Sequence, residues 1–466
     1  MNRNELVSLL AFDLGLPKTV IRRLLAELFK TAIREIRKSG VFVLPGIGSL
    51  SLSSRKARAG RNPQTGALIR IAAPKTIKFR ADKRFQDRMQ GFHVDTMHFA
   101  SDLPINHDDG WSALPGEPVG PQQIEGLPAP FNPRGGPGDY WIVKIFYATD
   151  REPTAQNPLR FGPRRSSSGQ LHLGTCEVSI PHDHRMAKIE RPTIWRLYRE
   201  DPKRDFVIRE IAAKEHAVFF SELAESVRSS EKNGAFVFIH GFRVAFNDAV
   251  YRTAQIAYDL GFSGAPVLYS WPSNGALYEY TGDINNNDWT VRHLAAFLKE
   301  LVSCSDAQVI HLIAHSMGNR ALAYALDLFA GEAGSEGRAP FHEIVLTAPD
   351  IDADTFRQLA GAVYASASRV TLYCSSRDRA LKASKRLNGS YPRAGDCSNS
   401  VVVVQGVDTI DASAVDTNLT GHFYYAENRS VLSDIFNLLE SDAPPDKRFG
   451  IRSQNVPPPM HWKFAP

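Results

Sequence analysis

Three residues in the second half of the chain have the types and order of a nucleophile, an acid and a base. The serine is Ser316 in AHSMG, between an apolar run and a stretch of helix-forming residues. Small residues around it would let a strand turn sharply into a helix with the hydroxyl exposed, and Ala314 replaces the usual first glycine. A nucleophilic serine also needs a base, an orienting acid and N–H donors for an oxyanion. The pattern predicts acyl-transfer chemistry at Ser316, although a serine after a strand is often only a helix cap.

The base is sought after Ser316, because enzymes with this turn carry nucleophile, acid and histidine in that order. The candidates are His342, His422 and His461. His342 begins a predicted strand, at the edge away from the site, and His461 lies in a proline-rich tail. His422 follows the last strand region in the loop TNLTGHFYY, from which an imidazole can reach the serine. We therefore predict His422 as the base.

Two aspartates compete for the orienting acid. Asp350 in LTAPDID follows the first strand after the serine, and Asp378 in SSRDRAL follows the second. Both stand at carboxyl ends of strands, where sites collect in open α/β sheets. Asp350 could equally cap the helix that begins near Asp352, and Asp378 could be a solvated turn residue. We favour Asp378 and keep Asp350 as the alternative.

The oxyanion donors are predicted from the same turn geometry. The run FVFIHGFR ends a strand in a His-Gly turn, so the N–H of Phe242 would join that of Met317. Aromatic residues of a following segment could line an acyl or aryl pocket, or could simply pack against the domain. These residues are Trp271, Tyr278 and Tyr280.

No metal or other cofactor is expected. The cysteines lack the close spacing of a zinc site or a disulfide framework. They are Cys176, Cys304, Cys374 and Cys397. His182 and His184 lie close together but lack a nearby third ligand, so they are predicted to be surface residues.

Alternating strands and helices would position the predicted site. Strands are predicted at DYWIVKIFYATDR, LHLGTCEVSIP, AFVFIHG, APVLYSW, VIHLIAHS, EIVLTAPD, RVTLYCSS and SVVVVQG. Helices are predicted at about 246–260, 287–303, 317–330, 352–364 and 379–387. This alternation predicts an α/β fold, with a mostly parallel sheet and helices on both faces.

Composition divides the chain of 466 residues, which is long enough for two or three domains. Proline and glycine punctuate residues 92–138 too often for regular structure, so this segment is predicted to be a linker. The α/β domain then covers residues 139–445, and a tail covers 446–466. No apolar run approaches the roughly 18 residues of a membrane span, and the N-terminus has no pattern of a leader peptide. A cytoplasmic protein is expected.

The head, residues 1–91, has a different character. Residues 1–90 carry 19 Lys and Arg against 6 Asp and Glu, whereas the rest of the chain carries 36 against 44. Residues 2–39 predict two helices, and VFVLPGIGSLSLSSR predicts a hairpin that turns at Pro45 and Gly46. A basic excursion then leads to a returning strand, ALIRIAA. Cations on such an arm could replace the counterions of DNA, and Pro63 at its tip could wedge between base steps or simply form a turn.

The head resembles the HU/IHF family of bacterial histone-like proteins. The resemblance rests on MNRNELV, LPGIGSL, GRNPQTG and IRIAAPKTIKFRADKRFQDRM, and it spans the whole family domain. It implies an α+β fold, an intertwined homodimer and largely non-sequence-specific binding of double-stranded DNA. By this resemblance the DNA-binding residues are Arg55, Lys56, Arg58, Arg61, Asn62, Pro63, Arg70, Lys75 and Lys78, and Lys83 and Arg84 lie on the closing helix. The long acidic appendage departs from the family pattern.

Residues from about 140 to 440 resemble a family of uncharacterised bacterial α/β-hydrolases. The matching stretches are FYATDR, LGTCEVSIP, FVFIHGF, YSWPS, LIAHSMGN, LTAPDIDADTF, SSRDRAL, YPRAGD, VDTIDAS and GHFYY. The resemblance implies the hydrolase fold and a site of Ser316, Asp378 and His422, but no substrate.

The sequence thus predicts an esterase-like serine hydrolase that acts on a small acyl substrate and is tethered to a DNA-binding dimer at the nucleoid. One alternative is a nucleoid-associated DNA-binding protein whose hydrolase domain is a scaffold or interaction module. Another is that the head has lost DNA binding and serves only for dimerisation.

Overall fold

The computed structural model describes residues 18–44, 47–54, 58–61, 68–71, 75–82, 134–135, 139–156, 159–192, 200–274, 280–332, 339–415, 422–454 and 461–465. The chain divides into two units, Met1–Asn106 and His107–Pro466. Their boundary falls inside the segment predicted to be a linker.

The described residues of the first unit form a long helix and two small antiparallel sheets. Its elements are α1 (Lys18–Ser39), β1 (Val41–Leu44), β2 (Gly48–Ser54), β3 (Arg58–Arg61), β4 (Leu68–Ile71) and β5 (Lys75–Ala81). Strands β1, β2 and β5 form one sheet in that order, and β3 pairs with β4. Helix α1 ends at Ser39, and the next residue, Gly40, has a φ of +80°, a conformation that glycine adopts without strain. The predicted hairpin and returning strand are confirmed, whereas the first predicted helix lies outside the described residues.

Apolar side chains are exposed on this unit. On α1, Leu24 is 53% exposed and Phe29 is 67% exposed. On the sheet, Val43 is 60% exposed and Phe79 is 52% exposed. A monomeric domain rarely leaves so many large apolar side chains in water, so these residues are suited to a protein interface.

The second unit is built on a sheet of 12 strands within the described residues. The strands of this unit, including two outside the sheet, are β6 (Arg134–Gly135), β7 (Tyr140–Thr149), β8 (Arg151–Gln156), β9 (Leu159–Arg165), β10 (His172–Pro181), β11 (Val207–Lys214), β12 (Gly234–Ile239), β13 (Ala265–Ser270), β14 (Val309–His315), β15 (Phe341–Thr347), β16 (Ala367–Cys374), β17 (Val407–Asp411), β18 (Ile451–Gln454) and β19 (His461–Phe464). The sheet order is β11-β10-β7-β13-β12-β14-β15-β16-β17-β19-β18, with β6 beside β7, while β8 and β9 form a separate hairpin. All pairings from β7 to β19 along this order are parallel.

Helices cover both faces of this sheet. They are α2 (His216–Arg228), α3 (Phe246–Asp259), α4 (Tyr280–Cys304), α5 (Gly318–Glu332), α6 (Ala353–Ala365), α7 (Arg379–Leu387), α8 (Tyr424–Glu427) and α9 (Arg429–Ser441), and a 3₁₀ turn spans Pro445–Lys447. In β12, Val237 packs into one apolar cluster and Phe238 into the other. Burial on both faces explains why the central strands are continuous apolar runs. The α/β fold with a mostly parallel sheet is confirmed, and α4 begins earlier than predicted.

One predicted strand is wrong. The run SVVVVQG was expected in the sheet, but residues 400–404 are outside it and the strand follows at β17. Gly406, with φ of +80°, turns the chain between the two segments. Val402 is nonetheless buried, and its carbonyl accepts a hydrogen bond from Thr409 Oγ1 at 2.9 Å. The β-branched run therefore packs against the neighbouring strand instead of joining the ladder.

The sheet continues into residues 446–466, which the sequence assigned to a tail. Strand β19 pairs with β17 in parallel, and β18 pairs with β19 in antiparallel orientation. His461 accordingly begins a strand of the sheet.

Candidate active site

Ser316 lies at an abrupt turn between β14 and α5. Its φ is +53°, in the left-handed region that residues with a Cβ seldom occupy. The Ser316 N–H donates to Thr347 O at 3.0 Å, and the Ser316 carbonyl accepts from Asp350 N at 3.0 Å. These bonds hold the strained residue against the end of β15 and the segment that follows it. This is the geometry of a nucleophile turn and differs from a simple helix cap.

Glycines are required where two backbone segments meet at this turn. A Cβ on Gly318 would lie 2.5 Å from His240 O, and a Cβ on Gly241 would lie 2.8 Å from Ser316 Cβ. Ala314 can carry a Cβ because it lies before the turn, within β14, where it pairs in register with Ile239 of β12. The small residues in AHSMG and HG thus allow β12 and the serine turn to approach closely.

Asp378 contacts His422 directly. Its Oδ2 accepts a hydrogen bond from His422 Nδ1 at 2.6 Å, and its Oδ1 accepts from Leu381 N at 2.9 Å. Asp378 is fully buried, so the prediction's alternative of a solvated turn residue does not apply. Because Nδ1 carries the proton in this bond, Nε2 of a neutral His422 keeps a free lone pair.

His422 contacts His315, the residue before the serine. His315 Nε2 donates to the His422 carbonyl at 3.1 Å, and the two rings are 4.6 Å apart. No hydrogen bond joins Ser316 Oγ to His422 among the described residues. Such bonds are often long in enzymes without a substrate and shorten when one is bound.

The surroundings of His422 favour its charged form. Burial alone would lower its pKa, but the charge and hydrogen bond of Asp378, with more distant Asp350 and Glu427, raise the pKa of His422 above its ordinary value. An imidazole of this kind is suited to accept a proton and hold it as an imidazolium ion.

The backbone N–H groups of Met317, directly after the serine, and of Phe242, after Gly241, make no backbone hydrogen bond among the described residues. Asn287 Nδ2 donates to the Met317 carbonyl at 3.0 Å and so fixes the orientation of the turn after the serine. The structure therefore holds the two predicted oxyanion donors in segments that meet at the serine.

Asp350 belongs to a different network. Its carboxylate accepts hydrogen bonds from Arg393 Nε at 2.8 Å, from Tyr280 OH at 3.1 Å and from Ser384. The structure places Asp378, and not Asp350, against His422. Asp352 caps helix α6, so Asp350 does not have that role either.

The predicted pocket aromatics are used differently. Trp271 is fully buried, and its indole N–H donates to His240 O at 2.7 Å, so it supports the turn at His240 and Gly241. The ring of Tyr280 lies against that of Phe242, with centroids 5.2 Å apart. Tyr278 lies outside the described residues.

Arg151 is a buried residue of the site that the sequence did not reveal. Its guanidinium donates to Val244 O at 2.7 Å, Ser273 O at 3.1 Å, Ser270 Oγ at 2.9 Å and His240 Nε2 at 3.2 Å. It therefore ties residues 240–244 to the loop after β13. In the sequence it follows an apolar strand, where a charged residue ordinarily marks a solvated strand end.

Ionisable groups around Arg151 respond to their burial. Burial lowers the pKa of Arg151 to about 10, despite the opposing charge of Asp283. Burial raises the pKa of Asp283 to about 6, against hydrogen bonds from Ser273 and Asn274. Burial and the adjacent guanidinium lower the pKa of His240 to about 3, so that ring is neutral.

His184 does not lie at the surface, contrary to the prediction. Its side chain is 1% exposed, with Nδ1 2.7 Å from Glu190 and Nε2 2.8 Å from Asp259. Burial would lower the pKa of His184, but the bonds to both carboxylates raise it to about 9. His182 is exposed and stacks on Trp141. Two carboxylates around one imidazole form a charged clamp, for which the sequence spacing gave no signal.

The structure brings together two cysteines that the sequence separates. Cys374, Cys397 and Asp411 place one donor atom each within 4.8 Å of one another, a grouping that could hold a metal ion. The spacing argument against a metal site considered only neighbours along the chain and could not detect this group.

The predicted DNA-binding residues lie in the first unit. Arg58 and Arg61 are in β3, Arg70 is in β4, and Lys75 and Lys78 are in β5. Lys78 is exposed. The residues outside the described part of the chain are Arg55, Lys56, Asn62, Pro63, Lys83 and Arg84.

A mostly parallel sheet covered by helices on both faces, with a serine at a strained strand-to-helix turn, defines the α/β-hydrolase class. Residues 215–440 match the family described as an alpha/beta hydrolase of unknown function, and residues 1–90 match the family described as bacterial DNA-binding protein. The chain belongs to the bacterial DNA-binding protein family through its head and carries an α/β-hydrolase domain after it.

The head is similar to bacterial DNA-binding proteins over almost their whole length. DNA-binding protein HRL18 of Rhizobium leguminosarum is 42% identical over 87 residues, which are 19% of this chain and 96% of that protein. An Anabaena HU–DNA cocrystal structure is 32% identical, and the match covers 20% of this chain and 99% of that chain, with a TM-score of 0.19.

A second solved structure that is similar to this chain is lipase B of Aspergillus fumigatus. It is 12% identical, and the match covers 46% of this chain and 54% of that chain, with a TM-score of 0.30. No helix among the described residues has the length and apolar character needed to span a membrane.

Proposed function

We propose that this protein is a serine hydrolase of carboxylic esters or related acyl compounds, carried on a DNA-binding, dimeric head. The observation that carries the enzymatic part is the 2.6 Å contact between Asp378 and His422, next to a serine held at a φ of +53°. A strained serine and a buried acid–histidine pair have little structural use apart from nucleophilic catalysis.

In the proposed mechanism, Ser316 Oγ attacks the acyl carbon while His422 Nε2 takes its proton. Asp378 keeps the ring in the required tautomer and stabilises the imidazolium ion. The N–H groups of Met317 and Phe242 bind the oxyanion of the tetrahedral intermediate. His422 then gives its proton to the leaving group, and water, deprotonated by the same ring, releases the acyl group from the serine.

A fluorophosphonate probe tests the nucleophile. We expect covalent labelling of the full-length protein and none of Ser316→Ala. Ser303→Ala is the matched control, because Ser303 is an exposed serine at the end of α4 and should leave labelling unchanged. Labelling that persists in Ser316→Ala would remove Ser316 from the mechanism.

The substrate class requires a separate measurement. A panel of acyl esters with graded chain length, assayed with wild type and Ser316→Ala, reports the size of the acyl group accepted. The same panel with duplex DNA present shows whether the head alters turnover. Absence of turnover on every ester, together with absence of probe labelling, would favour the second candidate, a nucleoid-associated protein whose hydrolase domain is an interaction module.

For the head, we propose binding to double-stranded DNA with little sequence specificity. The support is the match over residues 1–90 and the exposure of Lys78 and Arg80 on one face of β5. Cations that replace condensed counterions give an affinity that falls steeply with salt. We expect this fall in a salt titration of full-length protein with duplex DNA, and a smaller slope for the double variant Arg58→Ala, Arg61→Ala.

Dimerisation is proposed through the exposed apolar face of the head. Ile77 and Phe79 alternate with Lys78 and Arg80 on β5, so the strand presents one apolar and one basic face. Phe29→Glu should yield monomers in sedimentation analysis. Wild type that remains dimeric but binds DNA without salt dependence would indicate that the head serves only for dimerisation. A nucleoid location follows if the DNA-binding proposal holds.

A further inference from the structure

Three potential metal ligands meet at the carboxyl edge of the parallel sheet. Cys374 is the last residue of β16, Asp411 is the last residue of β17, and Cys397 lies in the loop between α7 and β17. The two sulfur atoms and a carboxylate oxygen all lie within 4.8 Å of one another. Both cysteines are free thiols.

One donor-to-donor distance in this group is close to that found around a tetrahedral thiophilic cation. Zn²⁺ binds sulfur at about 2.3 Å and carboxylate oxygen at about 2.1 Å, so adjacent sulfur and oxygen ligands are about 3.6 Å apart. Cys397 Sγ lies 3.4 Å from Asp411 Oδ1, close to that edge. Small side-chain movements would bring all three donors onto one ion.

Hydrogen bonds from outside the cluster fix its backbone. Ala412 N donates to Cys374 O at 2.8 Å, and Ser375 N donates to Gly395 O at 2.9 Å. Ser413 N donates to Asp411 Oδ1 at 2.8 Å. The three ligand-bearing segments are thus joined before any ion arrives, which reduces the ordering cost of binding.

Charge and access also suit a cation. Two thiolates and one carboxylate carry three negative charges, and a divalent ion leaves one, which Lys463 Nζ, 3.4 Å from Asp411 Oδ2, can offset. Cys374 is fully buried, whereas Cys397 is partly exposed. The exposed side offers an entry path and room for water as a fourth ligand.

We propose that Cys374, Cys397 and Asp411 form a binding site for a thiophilic divalent cation of the zinc class, with both thiol protons released to solvent on binding. The site is separate from the catalytic residues, but Cys374 lies only four positions before Asp378. A bound ion would join the ends of β16 and β17 and brace the loop that presents the catalytic acid.

The test titrates reduced, chelator-treated full-length protein with Zn²⁺ and, separately, with Cd²⁺. We expect one ion per chain and, with Cd²⁺, the ultraviolet charge-transfer absorption of metal–thiolate bonds. Cys397→Ser, at a partly exposed position, and Asp411→Asn should each weaken binding by more than roughly tenfold. Cys304→Ser is the matched control, because Cys304 is a free, exposed cysteine outside the cluster.

Thermal unfolding of each variant without metal separates lost binding from lost folding. Unchanged affinity in Cys397→Ser, or equal weakening in Cys304→Ser, would overturn the proposal. Mild oxidation provides a second test. If the protein binds neither Zn²⁺ nor Cd²⁺ but Cys374 and Cys397 form a disulfide, the proposal of a metal site would also be overturned.

Discussion

One carboxylate in this protein has two tasks: Asp378 Oδ2 holds His422 Nδ1 at 2.6 Å, while Oδ1 accepts the N–H of Leu381 in the first turn of α7. The helix thereby fixes the carboxylate, and the carboxylate fixes the ring. The orientation of the proposed base depends on a helix that begins one residue after the acid.

Asp378→Asn should reduce kcat by roughly 10³- to 10⁴-fold, because the amide cannot hold the ring in the required tautomer. Its oxygen can still accept from Leu381, so the unfolding temperature should change little. The measurements are ester turnover and thermal unfolding. Asp350→Asn is the comparison: it leaves His422 paired but deprives buried Arg393 of its carboxylate, which should cost roughly 3 kcal/mol of stability. A greater loss of kcat in Asp350→Asn than in Asp378→Asn would reverse the assignment of the acid.

The pH dependence of kcat/KM should report the titration of His422. Its pKa is raised, and a general base must be neutral, so activity should fall as pH decreases through a value above the ordinary 6.5 of histidine. Removal of the Asp378 charge should move this fall in activity to lower pH. If activity of the wild type falls only below pH 6, and falls at the same pH in Asp378→Asn, the assignment of His422 as the base would be contradicted.

The His184 clamp should stabilise the fold only while it is charged. Its pKa is raised to about 9, so the contribution is fully present below about pH 6.5 and is lost as pH rises through about 9. The shift corresponds to stability on the order of 3 kcal/mol. The free energy of unfolding, measured with denaturant at pH 6 and pH 10, should be much lower for His184→Gln than for wild type at pH 6, and similar for the two at pH 10. His216→Gln is the control, since the exposed His216–Glu300 pair should contribute almost nothing.

Two glycine substitutions should have opposite effects on stability. Gly318→Ala forces a Cβ to 2.5 Å from His240 O, so it should destabilise the domain and displace the turn after the serine. Gly361→Ala, inside α6, meets nothing within 4 Å and should stabilise the helix by roughly 0.5–1 kcal/mol. Thermal unfolding and ester turnover measure both effects. Equal stability of the two variants would show that the close approach at Gly318 is relieved by backbone movement.

The sequence predicted the serine turn and the strands around it because both depend on local pattern. Small residues around Ser316 and apolar runs of fixed length are visible along the chain. The preference for Asp378 over Asp350 had no such basis in local pattern, since each follows a strand at the same edge of the sheet. It depends on which carboxylate meets His422, 44 residues after Asp378.

The errors share a physical cause. His184 looked like a surface residue because its partner Asp259 is 75 positions away. Cys374 and Cys397 looked isolated because only the loop after α7 brings them together. Residues 400–404 have the composition of a strand, but the turn at Gly406 gives the sheet position to the next segment. In each case a contact distant in sequence outweighed the local pattern.

Strand β19 has a consequence for the solubility of shortened forms of the protein. It pairs with β17, and β18 then closes the sheet with four residues, among them an exposed Arg452. A short, charged border of this kind gives other molecules little to pair with. Clipping by a protease before Ile451 would remove β18 and β19 and leave Ile410 and Asp411 of β17 without their partners in the sheet. The trimmed protein should then tend to aggregate.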